Sequence, residues 1–160
     1  MKTRALAVSI AVAVALQIGQ VVPSSAHAAT KRFFTIAAVE PRGGVNVGQE
    51  PFPAQGLPPG GGYVLKQPDQ TGRWEVSTYV WMPSQIIINE GDEVTLEFVG
   101  INGASHPTEI KGLEKAFTLQ RGHVTQIKFK ADRPGVYPVV CHTHAPSMRG
   151  EIVVLPKLKG

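Results

Sequence analysis

The chain has 160 residues, 42% of them hydrophobic and 18% charged, with seventeen Gly, thirteen Pro, a single Cys and a formal net charge of +4. That is one domain's length; the apolar content beside so little charge excludes a disordered or collagen-like chain, and one thiol excludes an intramolecular disulfide framework. Lys and Arg are scattered singly with no basic run among aromatics, so nucleic acid is not an expected partner.

In chain order, Lys2 and Arg4 precede an uncharged apolar run, Ala5 to Ile18, and Ala26-His27-Ala28 then offers the small-x-small pattern that signal peptidase reads. Residues 1–28 are expected to be a secretory signal cleaved after Ala28, which places the mature protein in the periplasm or outside the cell. The run is shorter than the roughly 20 residues a spanning helix needs, so no membrane span is expected after cleavage. Losing Lys2 and Arg4 takes the net charge from +4 to +2. Residues 29–160 are expected as one domain, and a monomer.

Residues 33–39 read as a first strand, bounded by a basic pair and by Glu40-Pro41. From Pro41 to Gly62, twelve of 22 residues are Gly or Pro, which excludes a helix or interior strand and predicts a long surface loop. Short strands then follow closely: 74–81 alternating; 85–89 with three isoleucines; 93–99 with Val94, Leu96 and Phe98 on one face; 106–110; 116–119; 123–130; 135–141; and 151–155. Asn89-Glu90-Gly91-Asp92 is turn chemistry between two of them. No stretch after the leader carries sustained 3.6-residue periodicity. The expectation is an all-β sandwich or barrel of about eight strands, with a strand plus Gly/Pro-rich loop over 29–73 and a core over 74–160.

Export gives the lone thiol a meaning: it is a buried inert Cys, one awaiting an intermolecular partner, or a metal ligand. Its neighbours favour the last. Within Cys141 to Met148 lie one thiol, two imidazoles and one thioether, a soft and borderline donor set that suits copper, without the oxygen ligands calcium or magnesium require. Cys141 ends a strand, and Pro146 with Gly150 bounds a tight loop that returns the chain to 151–155. A trigonal copper site needs a second imidazole from elsewhere, and His106, after the Gly103-Ala104-Ser105 loop, is the natural candidate. The expected metal ligands are therefore His106, Cys141 and His144 in plane, with Met148 axial.

Each has a plainer reading, since Cys and Met are also common core residues. Strand alternation turns His142 away from Cys141, so it is expected at the surface or behind a ligand. His123 reads as a solvated turn residue, and Glu109 as facing solvent or pairing with Lys111. No hydrolytic motif is present, neither a Gly-x-Ser-x-Gly elbow nor a His-Glu-x-x-His helix.

At these residues the chain resembles the cupredoxins, the blue copper family. Cys141-x2-His144-x3-Met148 with an upstream His is similar to the loops of plastocyanin and pseudoazurin, which have one more residue before the Met, and of amicyanin, which has one fewer. Phe129 to Tyr137, followed by the loop and Met148-Arg149-Gly150, looks still more like the copper domains of nitrous oxide reductase and cytochrome oxidase subunit II. Those hold a dinuclear centre on two cysteines four residues apart. Here that position is Tyr137, so the resemblance implies a Greek-key β-sandwich with one copper ion.

The expected function is a one-electron carrier between redox partner proteins. In this family the C-terminal imidazole, here His144 beside Ala145 and Pro146, usually forms the exposed edge. Two alternatives stay open: a copper chaperone or resistance protein that carries the ion itself, and an open-site oxidoreductase like nitrosocyanin, in which a carboxylate such as Glu109 would matter.

Overall fold

Alternation builds this molecule. In the computed structural model, which describes residues 30–53, 56 and 61–157, nearly every strand puts every second side chain inside. The expected leader, 1–28, lies outside the described residues. The strands are β1 (Lys31–Val39), β2 (Arg42–Asn46), β3 (Tyr63–Lys66), β4 (Arg73–Thr78), β5 (Val80–Met82), β6 (Gln85–Asn89), β7 (Glu93–Gly100), β8 (Ser105–Ile110), β9 (Lys115–Gln120), β10 (Val124–Lys130), β11 (Gly135–Cys141) and β12 (Arg149–Leu155).

They form a four-stranded sheet, β10-β7-β1-β5, a five-stranded sheet, β6-β12-β11-β8-β9, and a small three-stranded sheet, β2-β4-β3. The first two make the sandwich. β1 runs parallel to β7 from Lys31 opposite Glu93 to Ala38 opposite Gly100, and β12 runs parallel to β6. Register follows the pattern of burial: a slip of one residue along β7 would turn Val94, Leu96 and Phe98, all fully or nearly fully buried, into solvent. Trp81 meets Phe98 edge to face at 5.4 Å between centroids, and Phe98 meets Phe117 of the facing sheet at 4.7 Å. The expected turn forms as read: Asp92 donates its amide to the Asn89 carbonyl and accepts the Asn89 amide on its carboxylate at 3.0 Å. Buried Asp92 also holds Arg32 at 3.3 Å.

Two expectations change. The Gly/Pro-rich stretch is not wholly loop, because Arg42–Asn46 pairs with β4. It does so as an edge strand, where glycine costs least and one row of backbone groups is left to solvent. The predicted strand 74–81 breaks at Tyr79, so that β4 belongs to the small sheet and β5 to the sandwich. The phase changes with the partners: buried Trp74 and buried Trp81 are seven residues apart and would face opposite ways on one continuous strand.

Candidate metal centre

β8 and β11 are neighbours in the five-stranded sheet, with Cys141 opposite Thr108. This pairing brings His106, two residues before Thr108 on the same inward face, to the end of the strand that carries Cys141. Both are fully buried.

The chain then closes a tight loop with its own backbone. The Cys141 amide donates to the Met148 carbonyl at 3.1 Å, and the Met148 amide to the His144 carbonyl at 3.0 Å. The Ser147 hydroxyl shares its one proton between that His144 carbonyl, at 3.1 Å, and the carbonyl of Gly62, at 2.9 Å. These bonds turn His144 back over Cys141. Met148 is fully buried in the same core cluster as Cys141.

Three donor atoms converge. His106 Nδ1 lies 3.9 Å from Cys141 Sγ, His144 Nδ1 lies 3.5 Å from it, and the two Nδ1 atoms stand 3.2 Å apart. All three fall within 4.8 Å of one another, and they are the one such group of His, Cys, Asp and Glu among the described residues. His106 is also fixed from behind, because its Nε2 lies 2.7 Å from the Asn102 carbonyl. A carbonyl can only accept, so Nε2 carries the proton and Nδ1 presents its lone pair inward.

Burial pushes the Cys141 thiol up, against the pull of the His144 and Thr143 backbone amides. Burial first, and the neighbouring His106 second, hold His144 below its ordinary value. The inward lone pair of His106, the neighbouring His144 imidazole and a buried thiol fit a cation, and the pairing of nitrogen with sulfur fits copper. The metal would take the place of the thiol proton.

Among the described residues, His142 and His123 stand where the sequence reading put them. His142 is exposed and its Nε2 meets Glu109 at 3.4 Å, so Glu109 pairs with His142, not with Lys111. Glu109 occupies the outward face of β8, between inward Thr108 and Ile110, away from the three donors. His123 is exposed, with Nδ1 against the Arg121 carbonyl.

Other participants carry no motif. Tyr79 stacks on His144 with centroids 4.0 Å apart and planes 31° apart. Asn102 holds His106 through a main-chain atom, which any residue supplies. Gly62, at φ +74, touches the loop so closely that a Cβ there would stand 2.3 Å from Ser147 Oγ and 2.8 Å from its backbone nitrogen. The Gly60-Gly61-Gly62 run was the available signal: a glycine where a second backbone must approach.

The family described as Cupredoxin-like domain matches residues 60–154. Among curated proteins none matches the sequence. Among solved structures, the chain is similar to a copper nitrite reductase from Nitrosomonas europaea, at 20% identity and TM-score 0.52 over 80% of this chain and 42% of that one. It is also similar to a Cu-containing nitrite reductase from Thermus scotoductus SA-01, at 20% and 0.53 over 81% and 29%. A heme-copper terminal oxidase matches at 29% identity and TM-score 0.41 over 45% of this chain and 51% of that one. The chain thus spans about half, or less, of the length of these relatives. At such identities the nitrite reductases speak for the fold.

Proposed function

The chain belongs to the cupredoxin-like domain family, and from that premise we propose that it binds one copper ion through His106, Cys141, His144 and Met148 and serves as an exported one-electron carrier between redox partner proteins. The observation that carries this reading is the convergence of His106 Nδ1, Cys141 Sγ and His144 Nδ1, with the His106 tautomer fixed by Asn102.

Bound there, copper supplies a Cu(I)/Cu(II) couple that gains or loses a single electron. The chain's own part is to keep the donors still. His106 and Cys141 stand on neighbouring strands, so sheet hydrogen bonds fix the separation of their backbones, and the Asn102 carbonyl fixes the His106 ring. Trp81 and Phe98 pack on the core beside them, and the full burial of Cys141 and Met148 keeps bulk water off the sulfur atoms. A donor set that moves little between oxidation states has little to reorganise when the electron leaves. His144 is partly exposed, which makes its ring the natural edge for exchange.

The same burial weighs against a copper chaperone, whose ligands must reach those of a recipient. Glu109, facing outward and paired with His142, gives no support to an open site with a carboxylate ligand. Export rests on the N-terminal pattern. Among the described residues no helix is long and apolar enough to cross a membrane.

The test is optical. Purified protein given Cu(II) is expected to show an intense visible thiolate-to-copper band and to cycle reversibly by one electron. A colourless complex that passes its copper to an acceptor protein would overturn the carrier.

A further inference from the structure

Both imidazoles of the donor set are braced from outside the Cys141 loop, and one connected group does it. Asn102 takes His106 Nε2 on its carbonyl and accepts the Glu40 amide on Oδ1 at 3.1 Å. The Glu40 carboxylate, with 8% of its side chain exposed, is paired with Arg42. That pairing holds it below the usual carboxylate range against the cost of burial, with lesser help from the hydroxyls of Tyr79 and Ser77. The Tyr79 ring then lies against His144 at a tilt of 31°, and edge-on to His106 at 5.6 Å and 63°.

The backbone around Tyr79 is fixed on both sides. Thr78 donates its amide to the Pro41 carbonyl and its hydroxyl to the Gly62 carbonyl, and Val80 pairs with Val39. Gly103 fits between the two rings: a Cβ on it would stand 2.7 Å from His106 and 3.0 Å from Tyr79, at a φ of +77 that a side chain resists. His144, by contrast, stands on a loop and is partly exposed. Unsupported, its imidazole would be free to swing about χ1 and χ2.

We propose that Tyr79 is a positioning residue of the metal centre, its anchored ring stacking on His144 so that Nδ1 faces Cys141 before any ion arrives. This rests on the copper-binding reading above. The break at Tyr79 between the small sheet and the sandwich then has a purpose, since it lets one residue belong to both. A stack of this kind is expected to change metal affinity by about threefold to tenfold.

The test compares the full chain with Tyr79→Leu and Tyr79→Phe. In the metal-free wild type, the His144 ring protons are expected upfield in the NMR spectrum, shifted by the Tyr79 ring current. The shift should disappear in Tyr79→Leu and persist in Tyr79→Phe. Affinity for Cu(II) and for Zn(II) should fall about threefold to tenfold in the Leu variant and be restored in the Phe variant. The reduction potential and thiolate band of the copper form should move and return in parallel. Wild-type His144 protons without an upfield shift would overturn the proposal, and this reading needs no variant to fold. So would a folded Tyr79→Leu with unchanged affinity, potential and band, or a Tyr79→Phe that behaves like Leu. A wild type that binds Zn(II) but gives no coloured Cu(II) form sinks the carrier reading alone, with Tyr79 still judged by the NMR and Zn(II) results.

Discussion

The sandwich and the small sheet β2-β4-β3 are made of the same kind of strand yet held together differently. In the sandwich, side chains from both sheets meet in one buried cluster, with Leu96, Phe98, Ile110 and Ile152 fully out of water. The small sheet has one buried large apolar residue, Trp74, set against Phe52 edge to face at 5.6 Å, with its indole N–H on the Glu50 carbonyl. The rest is surface chemistry: Lys66 and Arg73 on Glu75, and an Asp69 carboxylate that accepts the Thr71 amide and hydroxyl and the Arg73 amide. Exposed pairs of that sort contribute little each, whereas burial of a large side chain is worth about 1.5–3 kcal/mol. The sandwich therefore supplies the stability. The residues that flank the small sheet supply position, through Tyr79 after β4 on His144 and Gly62 before β3 on Ser147.

The sharpest way to break that division is at the metal centre. Cys141→Ser is expected to abolish the visible band completely while far-ultraviolet circular dichroism stays that of the native fold, because the sandwich does not depend on the thiol. If colour persists, the ligand assignment is wrong.

Phe98→Ala should come next, at about 3–5 kcal/mol in denaturant unfolding, since a cavity would open where both sheets meet. Trp74→Ala should cost less, about 2 kcal/mol, because its surroundings are partly exposed and can collapse. The two regions would be energetically equivalent, contrary to the comparison, if Trp74→Ala matched Phe98→Ala.

The smallest effect is a pH dependence confined to the small sheet. Hydrogen bonds from Thr71, chiefly its hydroxyl, and from the Arg73 amide keep Asp69 below its ordinary value. A depressed carboxylate stabilises the fold above its unfolded pKa and loses that contribution as pH falls through the folded one. Protection factors at the Thr71 and Arg73 amides, taken against the intrinsic exchange rate at each pH, should therefore fall as the pH drops below about 4, and Asp69→Asn should remove the dependence. An equal fall in protection in β7 would show that the sheet does not loosen by itself.

Much of this was legible before any fold was known. The period-two pattern of 93–99, the turn at 89–92 and the outward place of His142 follow from local chemistry, because a strand with one face in water must alternate. The donor types in 141–148 name a soft metal, because ligand preference belongs to the side chain and not to its surroundings. His106 came from the length of a loop and the end of a strand. The small sheet was harder to see: Arg42–Asn46 is rich in glycine, and glycine reports where a backbone is permitted without saying what it pairs with. The break at Tyr79 left only a change of phase, with the inward Trp74 and Trp81 an odd number of residues apart.

The sequence alone, then, determined an all-β chain and the chemistry of its candidate donor set, since periodicity and donor softness are properties of residues and near neighbours. Tertiary structure decided what holds those side chains. Asn102 acts through a main-chain carbonyl, Gly62 by being small, and Tyr79 by lying 4.0 Å from a ring 65 positions away in the chain. Of these only Gly62 left a trace, its glycine run, and that run does not say what approaches it, because contact across sheets depends on register and crossing, which no short stretch of chain contains.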